Sequence, residues 1–133
     1  MSDWQPLGKH RIRVGGDVIF WEVHGVTQLD EMQRFYELAE AVLSQHVWVA
    51  LSVDLRDASI PSAEARRYMA DWERKHPERR GVVIFYGASV PLRSIGSLIQ
   101  RGIAMLLPKR NSQVFWVANE ADALATIASQ RPR

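Results

Sequence analysis

Val47-Trp48-Val49-Ala50-Leu51-Ser52-Val53-Asp54-Leu55 is nearly all apolar until Asp54. A strand with one wet face alternates apolar and polar residues, whereas a strand covered on both faces has no need to. The run therefore predicts a central strand of a parallel sheet lying under helices. Gly81-Val82-Val83-Ile84-Phe85-Tyr86 repeats the pattern and predicts a second such strand. Between them the spacing predicts a helix over about 62–75. Ser62 follows Pro61 as an N-cap, Glu64 sits where it complements the helix dipole, and the helix stops before Pro77. Ala65, Tyr68, Met69 and Trp72 make its buried face.

Outward from this unit, Gly87-Ala88-Ser89 turns the chain into a third helix, with Pro91 tolerated in the first turn and an end near Leu107-Pro108. Ser112–Val117 reads as the last strand, and Asn119 caps a short helix through Ala128. On the other side, Met32, Phe35, Tyr36, Ala39, Val42 and Leu43 recur at helical spacing over about 29–46, with Thr27 or Asp30 as the cap. His10–Val14 and Val18–Val23 flank Gly15-Gly16-Asp17 as a β-hairpin, because glycine accepts the positive φ of a tight turn. The order β-β-α-β-α-β-α-β-α gives an α/β fold with a single mixed five-stranded sheet, parallel central strands, an N-terminal β-hairpin and four helices. Residues 1–9 are expected to be a loose arm, and 10–129 a single domain.

Composition removes several function classes. At 133 residues, 47% of them hydrophobic, the chain can build a core without staples. It has no cysteine, which excludes disulfides, thiolate zinc sites and cysteine nucleophiles. No stretch approaches the roughly 18 apolar residues of a membrane span, and the first residues lack a signal-peptide pattern, so a cytoplasmic protein is expected. Net charge is only +2, and the basic pairs Arg66-Arg67, Arg79-Arg80 and Lys109-Arg110 are dispersed. Nucleic-acid binding needs a contiguous basic surface and is not expected.

No catalytic or metal motif stands out, and no cofactor is expected. His10, His24, His46 and His76 fall on different elements, without the spacing of a metal site. Asp54 and Asp57 end a central strand, where open α/β sheets keep their ligand crevices. The plainer role is structural, with Asp54 accepting backbone N–H groups in the loop and Asp57 solvated. Gly87 and Ser89 form a candidate anion-binding turn at a helix N-terminus, but without the spacing of a phosphate loop or a nucleophile elbow. Trp21, Trp48 and Trp116 lie on strands and read as packing. The third helix carries a core stripe of Leu92, Ile95, Ile99, Ile103 and Leu106. Leu98 and Met105 fall to one side of that stripe and make a candidate partner or ligand surface.

Val53-Asp54-Leu55-Arg56-Asp57, then Ser59-Ile60-Pro61-Ser62, then Phe115-Trp116-Val117 with Glu120-Ala121-Asp122-Ala123-Leu124 form an ordered set over about residues 10–128. In that order they resemble the anti-sigma-factor-antagonist (STAS) family, more closely its SpoIIAA-like (STAS/SEC14) branch. The resemblance implies a SpoIIAA-like fold and a regulatory, protein-interaction role. It also implies a regulatory loop that would include Asp54, Asp57, Ser59 and Ser62. The family places a phosphorylated Ser or Thr in an Asp-Ser-Ser/Thr-Gly pattern at the start of the second helix. Here the sequence reads Ser62-Ala63-Glu64-Ala65, so the acceptor position falls on Ala63 and the glycine on Ala65. Ser62 or Ser59 could serve only in a shifted register. The expectation is a non-enzymatic module, without the usual phosphoacceptor switch, that docks on a protein partner or a second copy in a weak homodimer. The alternative is a module that binds an apolar ligand or lipid, as the SEC14 kinship implies. A small-molecule enzyme comes third.

Overall fold

The computed structural model describes residues 3–97 and 112–132. Among these, six strands form one sheet: β1 (Gln5–Leu7), β2 (His10–Gly15), β3 (Val18–Gly25), β4 (Val49–Ala58), β5 (Gly81–Tyr86) and β6 (Ser112–Val117). They lie side by side in chain order. β1, β2 and β3 pair antiparallel, and β3 to β6 are parallel. The helices are α1 (Leu29–Leu43), α2 (Ala63–Lys75), the described start of α3 (90–97) and α4 (Glu120–Gln130). The two apolar runs are parallel neighbours, in register from Val49 opposite Gly81 to Asp54 opposite Tyr86. None of the helices among the described residues is long and apolar enough to cross a membrane.

The topology explains why those runs are apolar throughout. Parallel strands that advance across a sheet with one crossover hand place their connecting helices on the same face. On that face Ile19, Trp21, Val53 and Val83 pack with Met32, Phe35 and Tyr36 of α1 and with Ala65 and Trp72 of α2. The chain then returns under the sheet. Ala123 and Ile127 of α4 cover Val18, Ala50, Val82, Ile84 and Tyr86 on the reverse face. Because successive residues of a strand point to opposite faces, both alternating sets of β4 and β5 must be apolar.

Ser62 caps α2, its Oγ accepting the Ala65 N–H at 3.1 Å, and Asn119 caps α4 through the Asp122 N–H at 2.9 Å. The cap of α1 is Gln28 rather than Thr27 or Asp30. Thr27 is buried, and its hydroxyl lies 3.3 Å from Nε2 of the equally buried His10. Gly81 is needed because β5 passes so close to β4 that a Cβ there would strike the Val49 carbonyl oxygen.

The loose arm is corrected. Gln5–Leu7 is a sixth, edge strand, antiparallel to β2 with Leu7 opposite His10, and Leu7 belongs to the core. Pro6 is compatible with an edge, where one N–H can be missing from the ladder. The strand is held by a contact far away in sequence. Buried Glu31, in the first turn of α1, accepts the Lys9 backbone N–H at 3.0 Å, the Lys9 ammonium at 2.8 Å and the Gln28 N–H at 2.9 Å. Burial alone would push this carboxyl up. The hydrogen bonds from Lys9 and Gln28 outweigh it and bring the pKa down to about 2.

A group whose pKa falls on folding stabilises above its unfolded value, here about 4.5, and that stability drains as the pH drops towards 2. Glu31→Gln should therefore cost about 2 kcal/mol at pH 7, in the range of hydrogen bonds to a charged group. Urea unfolding at steps between pH 7 and pH 2.5 should show the variant losing less stability on acidification than the wild type.

Candidate functional site at the carboxyl edge of the sheet

Register brings three polar residues into one row at the carboxyl ends of the parallel strands: Glu22 of β3 opposite Asp54 of β4, and Asp54 opposite Tyr86 of β5. Asp54 is buried and clamped by Arg56. Its Oδ1 accepts the Arg56 backbone N–H at 3.0 Å and Nε at 3.1 Å, and its Oδ2 accepts Nη2 at 2.7 Å. Burial would raise the Asp54 pKa, but the bonds from Arg56 reverse this and hold it below the usual aspartate range. Arg56 lays its stem across Gly87, where a Cβ would collide with Arg56 Cγ and where φ is +75°. Tyr86 is pushed up to about 12, first by burial and then by the Asp54 carboxylate. Acid–base catalysis wants groups whose pKa values lie near the working pH. Here Asp54 is fixed as the anion and Tyr86 as the phenol.

A second cluster lies beside it. The hairpin register sets Arg11 opposite Glu22, with Nη2 2.7 Å from Oε2. A β-bulge then shifts the β3–β4 register, so that Glu22 pairs with Asp54 but His24 pairs with Asp57. The His24 ring lies between two carboxylates, with Nε2 2.8 Å from Glu22 Oε1 and Nδ1 2.9 Å from Asp57 Oδ2. The Asp57 bond and then the Glu22 bond raise the His24 pKa, while Arg11 in first place lowers that of Glu22.

The residues singled out in the sequence meet at this end of the sheet. Asp54 takes a backbone N–H from Arg56 of its own strand rather than from the loop, and Asp57, although 77% exposed on its side chain, is bonded to His24 rather than simply solvated. The Ser59 N–H donates to the Gly25 carbonyl and the Ser62 N–H to the Thr27 carbonyl, which seats the β4–α2 loop on the chain that leaves β3. Ala63 is the first, exposed residue of α2. Gly87 serves the Arg56 stem, and Ser89 Oγ accepts the Leu92 N–H at 3.3 Å, so this turn is a helix cap. Leu98 and Met105 lie outside the described residues.

Sequence reading missed His24, Glu22 and Arg11. The Arg11–Glu22 pair follows from the tight hairpin turn once its register is counted. The His24–Asp57 match depends on the bulge, for which the sequence carries no local sign. Among the described residues no group of three His, Cys, Asp or Glu side chains could hold a metal ion.

The helical face of the sheet also holds a cavity of about 180 Å³. Ile19, Val53, Val83 and Phe85 form its floor, Ala39 and Trp72 its walls, and Leu92 and Gly96 of α3 its far side.

No protein-family model matches the sequence. No curated protein matches it either. Solved structures do match the fold. One is an uncharacterized protein of the DUF3478 family with a SpoIIAA-like fold from Shewanella loihica PV-4. It has a TM-score of 0.61 and 16% identity over 87% of this chain and 89% of that one. Another is the anti-sigma factor antagonist SpoIIAA in its unphosphorylated form. It has a TM-score of 0.58 and 9% identity over 95% of this chain and 98% of that one. The fold is SpoIIAA-like, and among the described residues the sheet has six strands instead of the five expected from the sequence.

If Arg56 is what keeps Asp54 ionised, Arg56→Ala should leave burial unopposed. A ¹³C carboxyl NMR titration should then find Asp54 above its ordinary value of 3.8 in the variant and below it in the wild type. An Asp54 that stays below 3.8 without Arg56 would show that other groups hold the charge.

Proposed function

We propose that this chain is a non-catalytic regulatory module of the STAS type, which docks on a protein partner through the carboxyl edge of its sheet and works without a phosphoacceptor switch. The observation that carries this reading is that the charged groups of that edge are satisfied by one another. Arg56 with Asp54 and Arg11 with Glu22 and His24 make a pre-set pattern of paired charge. Arg56, Asp57 and Ser59 are exposed there, beside the exposed side chains of Val26 and Val90. Mixed charge with scattered aliphatic groups suits a transient protein contact better than a permanent one. Leu98 and Met105, on the third helix expected from the sequence, remain the proposed second surface, through which two copies could associate weakly. The SpoIIAA-like fold supports the docking role, and Ala63 at the acceptor position supports the missing switch.

Capture from the source cell should therefore retain a partner with the wild type and lose it at least tenfold, or about 1.4 kcal/mol, with the charge reversal Arg56→Glu plus Asp57→Lys. Ser62→Asp preserves the N-cap and should bind that partner like the wild type. A folded Ser62→Asp protein that no longer binds would overturn the reading without a switch.

A second reading rests on the cavity, whose apolar lining and position under α3 suit an apolar ligand or lipid tail. Ala39 is buried in α1 and faces this space. Ala39→Met should fill part of the void, raise the melting temperature by a few degrees and reduce whatever apolar molecule native mass spectrometry finds on the wild type. A wild type that carries none and is destabilised by Ala39→Met would end this reading.

A further inference from the structure

The strongest feature outside the packing just described is the ring of His24. Both of its nitrogens face carboxylate oxygens, Glu22 at 2.8 Å and Asp57 at 2.9 Å. An ionised carboxylate can only accept a hydrogen bond, and a neutral imidazole has one N–H to give. The observed arrangement therefore calls for an imidazolium with two N–H groups. When one proton leaves, one of the two contacts becomes lone pair against lone pair and must open. Glu22 has a second tie, to Arg11 at 2.7 Å, and sits two residues from His24 on the same strand. Asp57 is far more exposed, at 77% against 20% for Glu22, and faces His24 only because of the bulge. Bulges re-aim side chains in this way. The Asp57 arm is the one that lets go.

We infer that His24 is a pH-sensitive clasp: as an imidazolium it ties the Asp57 side chain, near the end of β4, to β3, and on losing its proton it releases that carboxylate and leaves the carboxyl edge one negative charge richer. In the closed state Arg11, Arg56 and His24 balance Glu22, Asp54 and Asp57. In the open state Asp57 stands free at the head of the loop whose Ser59 and Pro61 border the cavity. That this controls docking rests on the function proposed above, whereas the clasp itself does not.

The surrounding charges are consistent with it. From β2, Arg11 faces Glu22, and His10 accepts the His24 backbone N–H on Nδ1 at 2.9 Å. Burial lowers the His10 pKa, with Glu31 opposing, so His10 adds no competing cation there. Lys9 passes beside Gly25 but is bound to Glu31. From β4, Arg56 is taken by Asp54, and Glu120 at the start of α4 acts on Arg56 and Tyr86. The linkage sign is clear. A histidine whose pKa rises on folding stabilises fully below its free value of 6.5, and that stability is lost as the pH rises from there through the His24 midpoint. His10, shifted the other way, loses stability as the pH falls below 6.5. The two losses fall on opposite sides of pH 6.5, and because a bulk stability curve does not say which group titrates, a residue-resolved titration is required.

The experiment follows the ring nitrogens of His24 and the amides of Ala58 and Ser59 by ¹⁵N NMR from pH 5 to pH 9, in the full chain and in Asp57→Asn. The expected result is a wild-type His24 with both nitrogens protonated below its midpoint, a midpoint above 6.5, and loop amides that shift at the same midpoint. In Asp57→Asn the His24 midpoint should move down and the loop amides should stop following it. A wild-type midpoint at or below 6.5, or one that Asp57→Asn does not move, overturns the clasp. Loop amides that ignore the His24 titration overturn the release of Asp57. If the clasp titrates as expected but a partner held by the Arg56–Asp57 surface is captured equally on both sides of the midpoint, control of docking is overturned instead.

Discussion

Everything in this molecule depends on covering β4 and β5 on both faces. Both alternating sets of β5, and of β4 up to Val53 apart from Ser52, are apolar, so neither strand can lie against water on either side there. α1 and α2 satisfy one face and α4 the other. The close approach of the two strands at Gly81 and Val49 then fixes their register. Once the register is fixed, Asp54 and Tyr86 must emerge side by side at the carboxyl edge.

The polar edge is thus a by-product of an apolar constraint. At the point where helices no longer cover the strands, polar side chains appear, and the chain satisfies them locally. Arg56 reaches back to Asp54 within its own strand, Arg11 reaches across the hairpin to Glu22, and the bulge delivers Asp57 to His24. Asp54 and Glu22 are held below the usual carboxylate range by their arginine partners, while the carboxylates beside His24 raise its pKa.

The parts of this account that are local in sequence were legible there. β5 and β6 were read to the residue, because Gly81 and Tyr86, and Ser112 and Val117, bound their apolar runs sharply. The caps Ser62 and Asn119 were likewise read correctly, since each bonds an N–H three residues on. What escaped depends on distance. β1 is three residues long, contains a proline and is held by Glu31 some twenty residues away. Thr27 has the chemistry of a cap, but its hydroxyl is committed to His10, and Gln28 takes its place. The His24 site needs an extra residue in β4, which no pattern of hydrophobicity announces.

The central claim is that the carboxyl edge is the recognition surface, and amide hydrogen exchange on the chain alone and in complex with its captured partner tests it most directly. The account predicts that slowed exchange on binding will concentrate at 56–62, the end of β4 and the loop that follows it, and at 88–90, where α3 begins. Protection confined to β1 and β2 or to α4, with those two loops exchanging as in the free chain, would contradict it.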